Sequence, residues 1–253
     1  MIFHETVFGP IHSRRLGTSL GVNLMPNDGK VCSFDCVYCE AGLNSQGAGR
    51  DGIPSRHAVH RALDARLRQL QEAGETLNSI TFSGNGEPTL HPDFKAIVED
   101  VIRLRDRYYP TAAVTVLSNA TMAHKSDVAA ALRLVDNNVL KLDSAVARTL
   151  RLVNRPVSHD INPEAIINNL KSFAGQCIVQ TMLLRGSVDG EPIDNTTAEE
   201  VDALLEALAV IKPRLVQLYS IDRRPPLDTL QVVSRDDIEA IAARVRAAGH
   251  AVQ

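Results

Sequence analysis

Three of the four cysteines crowd into eight residues, Cys32-Ser-Phe-Asp-Cys36-Val-Tyr-Cys39, while Cys177 stands alone. The spacing is C-x3-C-x2-C, and thiolates are soft ligands suited to zinc or to iron–sulfur clusters. Ligands so close in sequence converge only if the loop wraps around the bound object, a demand that a cubane cluster meets better than a single ion. A structural zinc site is closed by four ligands, whereas three leave one position open for chemistry. Two blander readings compete: buried small apolar side chains, or a zinc site completed by His12 or another histidine. Four Cys in 253 residues is far from a disulfide scaffold. A reducing, cytoplasmic setting is therefore expected, with the thiols serving a metal or catalysis.

A second constellation is Ser83-Gly84-Asn85-Gly86-Glu87-Pro88-Thr89. Glycines let a backbone approach a ligand closely, and a carboxylate pairs with an ammonium. Ser118, Asn119 and Asp143 follow apolar runs, where polar residues commonly make turns. Lys141 and Gln180 face one way by strand alternation. A charge inside an apolar strand is costly unless paired, which makes Lys141 a candidate contact to substrate or cofactor. Paired arginines suit phosphate or carboxylate. They occur in His12-Ser13-Arg14-Arg15-Leu16-Gly17 and in Asp222-Arg223-Arg224-Pro225-Pro226. If both segments line one opening, the substrate is anionic.

The elements that must position these residues alternate along the chain. Strands are predicted over 19–25, 79–83, 113–118, 138–143, 177–184 and 214–221. Helices are predicted over 56–73, 92–108, 126–135, 163–174, 198–211 and 236–248. In the first helix Val59, Leu63, Leu67 and Leu70 share a face, with Ser55 as N-cap and Gly74 as stop. Pro163 suits a first helical position, and Thr197 with Glu200 has capping-box spacing. Six strand–helix units argue for an α/β fold with a parallel sheet and right-handed crossovers. An open sheet and a barrel are not separable on periodicity. In both, function belongs on the loops at the carboxyl ends of the strands, where the cysteines, the Gly-Asn-Gly-Glu-Pro segment and Ser118-Asn119 fall.

The cysteine spacing, with Tyr38 just before the last Cys, resembles the signature of the radical S-adenosylmethionine (radical SAM) superfamily. Gly84-Asn85-Gly86-Glu87-Pro88 is similar to that superfamily's Gly-Gly-Glu-Pro motif, with Asn85 in place of one glycine. The resemblance implies a partial (β/α)6 barrel with parallel strands, a single domain over residues 1–253 with 1–18 as an extension leading into the barrel. It implies a [4Fe–4S] cluster on Cys32, Cys36 and Cys39, its fourth iron chelated by S-adenosylmethionine. One-electron reduction then gives methionine and a 5′-deoxyadenosyl radical, which takes hydrogen from the substrate. Tyr38, Gly84, Asn85, Gly86, Glu87, Ser118, Asn119 and Asp143 are implied cofactor-binding residues, with Glu87 toward the methionyl ammonium and Tyr219 near the adenine. An electron donor of flavodoxin or ferredoxin type is implied as partner. Ser13-Arg14-Arg15-Leu16-Gly17 resembles a signature of iron–sulfur oxidoreductases related to the wyosine-forming tRNA enzymes.

Composition trims the alternatives. Lys+Arg total 27 against Asp+Glu 30, a net charge of −3, and ten residues are aromatic. A basic, base-stacking surface for nucleic acid is not evident, which weighs against a wyosine-type tRNA enzyme, as does the lack of a second cysteine cluster. Peptide-modifying members with auxiliary clusters need more cysteines than Cys177. No apolar run approaches the roughly 18 residues of a membrane span, and the first dozen residues lack a signal-peptide pattern. A non-enzymatic iron–sulfur or zinc binding protein is the competing class. The substrate itself is unidentified.

Overall fold

Short runs of Val, Ile and Leu alternate with amphipathic stretches, and each becomes a strand or a helix. The structure, a computed structural model, describes residues 1–13 and 17–253. Arg14, Arg15 and Leu16, on which part of the His12–Gly17 reading falls, lie outside the described residues. The chain falls into two compact units, one of residues 1–32, 44–118 and 122–138, the other of 33–43, 119–121 and 139–253.

In the first unit, β1 (Val7–Ser13) runs antiparallel to β2 (Gly17–Val22), and β2, β3 (Ser79–Phe82) and β4 (Ala113–Ser118) are parallel neighbours. Every residue of β3 is buried, as expected for a strand covered on both faces. Helix α1 (Arg56–Glu72) buries the predicted stripe Val59, Leu63, Leu67 and Leu70. The Ser55 side chain accepts from Ala58 N, and Gly74 follows with positive φ. Helices α2 (Phe94–Tyr108) and α3 (Ser126–Leu134) complete the layer. Arg56 binds Asp100 of α2 through two hydrogen bonds, of 2.6 and 2.9 Å.

The second unit contains residues 139–141 of β5 (Asn137–Lys141), which runs parallel to β6 (Ile178–Val188). The far end of β6 pairs antiparallel with β7 (Glu191–Asp194). Strand β8 (Leu215–Ser220) lies parallel to β6, and β9 (Leu230–Val232) antiparallel to it. Helices α4 (Ala147–Asn154), α5 (Pro163–Lys171), α6 (Ala198–Ile211) and α7 (Arg235–Ala247) pack around them. Thr197 caps α6, but the Glu200 carboxylate reaches Ser144 Oγ at 2.6 Å rather than closing the capping box. The fold is α/β with mostly parallel strands. All six predicted strands and all six predicted helices are present. Four elements were not anticipated: β1, α4, β7 and β9.

Candidate functional site

In the first unit the segment after β3 is folded against the residue that precedes Cys32. Val31 N donates to the Asn85 carbonyl at 3.1 Å, and Glu87 N donates to the Val31 carbonyl at 3.0 Å. Gly86 has φ +142, and a Cβ there would stand 1.8 Å from the Val31 carbonyl oxygen. Only glycine allows that approach. The close neighbour is thus the chain's own backbone beside Cys32. Gly84, at φ +135, is pressed in the same way against the Asn23 side chain.

Asn85 departs from glycine for a visible reason. Its side chain is fully buried; Oδ1 accepts from Phe3 N at 2.8 Å, and Nδ2 donates to the carbonyls of Phe3 and Pro26 at 2.7 and 2.8 Å. Asn85 N donates to Asn23 Oδ1 at 3.0 Å. This side chain clasps the N-terminal segment to the loop. Glu87 is also buried. Its Oε1 accepts from Ser118 Oγ at 2.7 Å, Thr89 Oγ1 at 2.5 Å and Thr89 N at 3.1 Å. The first unit therefore gathers Glu87 and Ser118, and bridges Gly86 to Val31, the residue before Cys32.

In the second unit the cysteine loop caps a helix end. The last carbonyls of any helix lack partners within it. At the end of α4, the Val153 carbonyl accepts from Val37 N at 3.0 Å and the Asn154 carbonyl from Asp35 N at 2.9 Å. Arg155 turns left-handed, at φ 43, to end the helix, and Val157 N donates to the Ser33 carbonyl at 3.0 Å. Asn119 supports the same loop: its Nδ2 donates to Ser33 Oγ at 2.9 Å, and its Oδ1 accepts from Thr121 N and Oγ1.

Cys36 is buried and Cys39 half-buried; Cys39 N donates to the Cys36 carbonyl at 3.0 Å. None of the four cysteines is in a disulfide. Burial pushes the Cys36 thiol up to about 11, although the Lys141 ammonium pulls the other way. Metal binding requires the thiolate and so releases this proton. Asn154 Nδ2 donates to Cys36 Sγ at 3.4 Å and to Asp143 Oδ2 at 2.6 Å.

Asp143 is a hub. Its side chain is 0% exposed. Besides Asn154 it accepts from the Tyr38 hydroxyl and from Met182 N, and it lies 3.6 Å from Lys141 Nζ. Burial, with the Asp143 charge beside it, holds the Tyr38 phenol well above its usual range. For Lys141 burial acts downward, but the Asp143 carboxylate outweighs it and the ammonium stays charged above its ordinary range. Lys141 Nζ also donates to the Tyr219 hydroxyl at 3.2 Å and stands 5.2 Å from the Tyr38 ring centroid. Gln180 turns instead to Gln217, at 3.1 Å. Arg223 is ion-paired with Glu40, the residue after Cys39.

The donor chemistry suits a thiolate-bound cluster. Three thiols lie on a loop held at both flanks by main-chain hydrogen bonds. Among the described residues no three His, Cys, Asp or Glu side chains converge on a point that would hold one metal ion. A cubane takes one thiolate at each of three separate irons, so its ligands need not meet at a point. Asn154 adds a second sign. Its Oδ1 is buried without a hydrogen-bond partner among the described residues, a cost of about 1–3 kcal/mol unless a bound group or water supplies a donor. Asn154, Ser33 and Thr121 were not singled out from sequence. A lone polar residue at a helix end or turn carries no signal of its own.

Comparison with known proteins assigns the family. The model of the Radical SAM superfamily matches residues 27–196. A UPF0026 protein of Synechocystis is 34% identical over 225 residues, 87% of this chain and 77% of that protein. A protein of Brachyspira hyodysenteriae named GTPase Obg is 28% identical over 93% of this chain, which spans 32% of that protein's length. Among solved structures, a radical SAM methyltransferase from Sphaerobacter thermophilus superposes with a TM-score of 0.66 at 16% identity, covering 93% of this chain and 65% of that one. TYW1 with a lysine–pyruvate adduct bound gives 0.62 at 16% identity, over 92% and 74% of the two chains. The fold is accordingly that of the partial barrels of these enzymes, and no helix among the described residues is long and apolar enough to cross a membrane. The strand–loop framework, the cysteine loop and the match over 27–196 lead to one assignment: the chain belongs to the radical SAM superfamily.

Proposed function

We propose that Cys32, Cys36 and Cys39 hold a [4Fe–4S] cluster and that the enzyme cleaves S-adenosylmethionine reductively to act on its substrate. The observation that carries this reading is the cysteine loop. Its backbone caps α4, and Val31, just before Cys32, is hydrogen-bonded to Asn85 and Glu87. When bound, such a cluster supplies one electron to the sulfonium of S-adenosylmethionine, giving methionine and a 5′-deoxyadenosyl radical that takes a hydrogen atom from the substrate.

The chain's own residues hold and orient. Three neutral donors on Glu87 Oε1 fix a buried carboxylate that suits the cofactor's ammonium. Gly86 holds that segment against Val31, and Ser118 aims the carboxylate. Asn119 braces the cysteine loop through Ser33. Asp143, held by Tyr38, supports Cys36 through Asn154. An electron donor of flavodoxin or ferredoxin type and an anionic substrate belong to the same reading; Arg223, kept beside the cysteine loop by Glu40, supports the second.

Anaerobic reconstitution should give close to four irons and four sulfides per chain, and reductant with S-adenosylmethionine should release 5′-deoxyadenosine. Cys36→Ala should lose both cluster and cleavage. A single zinc per chain, or undiminished cleavage by Cys36→Ala, would overturn the assignment.

A further inference from the structure

We infer that Asn154 is a positioning residue for Cys36, and that its amide tunes the redox potential of the bound cluster through an N–H···S hydrogen bond. The inference rests on the cluster proposed above.

The orientation of the Asn154 amide is fixed by its neighbours. Asp143 Oδ2, 2.6 Å away, is an acceptor, so the nearer atom must be the NH2 group. A flipped amide would set a carbonyl oxygen against a carboxylate. The NH2 group has two hydrogens. One serves Asp143, and the other lies toward Cys36 Sγ at 3.4 Å. Asp143 in turn is held by Met182 N and Tyr38, and Asn154 is 1% exposed. Neither partner can drift.

The electrostatics make this bond matter. Cys36 is buried and sits at the C-terminal end of α4, whose carbonyl dipoles oppose added negative charge. Reduction of a cluster puts a further electron on iron and sulfur. A donor aimed at sulfur stabilises that charge and raises the potential, and hydrogen bonds to the sulfurs are among the factors that set cluster potentials. Among the described residues, Asn154 is the only side chain with a recorded hydrogen bond to Sγ of Cys36 or Cys39.

The test is an EPR-monitored redox titration of the reconstituted protein without S-adenosylmethionine, comparing the unaltered chain with Asn154→Leu and Asn154→Ala. Iron and sulfide are measured on each. The expected result is full cluster content with a midpoint potential shifted to more negative values in both variants. An unchanged potential at full cluster content would overturn the inference and leave the proposed function standing. No cluster in the unaltered chain would instead overturn the proposed function. Should the variants fail to take up iron, the unaltered protein still decides. With asparagine labelled with 15N at the side-chain amide, pulsed EPR of the reduced cluster should show a weak 15N coupling, and its absence would overturn the hydrogen bond.

Discussion

Gly86 shows how a single residue sets the cysteine segment. Its positive φ and the 1.8 Å gap to the Val31 carbonyl leave no room for a side chain. Gly86→Ala should cost about 3 kcal/mol or more, combining backbone strain of roughly 1–3 kcal/mol with overpacking of similar size. A fall in the urea midpoint with an unchanged m-value would check it. The motif was legible in the sequence, but what the glycine approaches was not. The backbone that Gly86 approaches is that of Val31. The same holds for Asp143, flagged as a strand-end polar group. Its four side-chain contacts come from residues 38, 141, 154 and 182, a convergence that no spacing along the chain encodes.

At the scale of elements, capping chemistry was readable because it is local. Ser55, Thr197 and Ser234 each accept from the backbone N–H three residues on, and Pro163 opens α5. The unanticipated elements lack such marks. Strand β1 contains Gly9-Pro10, which argues against a strand except at a sheet edge, and its recorded partner is β2 alone. Helix α4 is eight residues long, with no side-chain N-cap and an arginine rather than glycine at its left-handed end. Between α1 and α2 the Arg56–Asp100 pair is the clearest polar tie. The Arg56 hydrogen bond, reinforced by Arg103, holds the Asp100 carboxyl below its usual range. Such a group adds stability above the ordinary carboxylate pKa, and that stability is lost as pH falls through the lowered folded value. Asp100→Asn should therefore cost about 1 kcal/mol at pH 7. The deficit against the unaltered chain should shrink at pH 3, as read by urea unfolding at the two values.

For the molecule as a whole, the alternation of strands and helices was legible throughout, and the division into two compact units was not. Units are defined by which residues meet, and segments 33–43 and 119–121 join the second unit across long stretches of chain. Global stability should also respond to alkaline pH. Cys177 is fully buried, and burial pushes its thiol up from its ordinary range to about 11. Above pH 9 the unfolded chain sheds this proton before the folded one, so stability falls as pH rises from 9 toward 11. Cys177→Ala should lose about 1–2 kcal/mol at pH 7 for the vacated volume. Its melting temperature should decline less steeply between pH 8 and 11, and parallel declines would contradict the assignment.

The Asn85 clasp joins the opening residues to a loop some eighty positions downstream. Loss of Phe3 would leave a buried amide short of two partners. The injury would surface in the segment carrying Glu87. A disturbance at Phe3 would thus mimic a lesion in the proposed cofactor pocket.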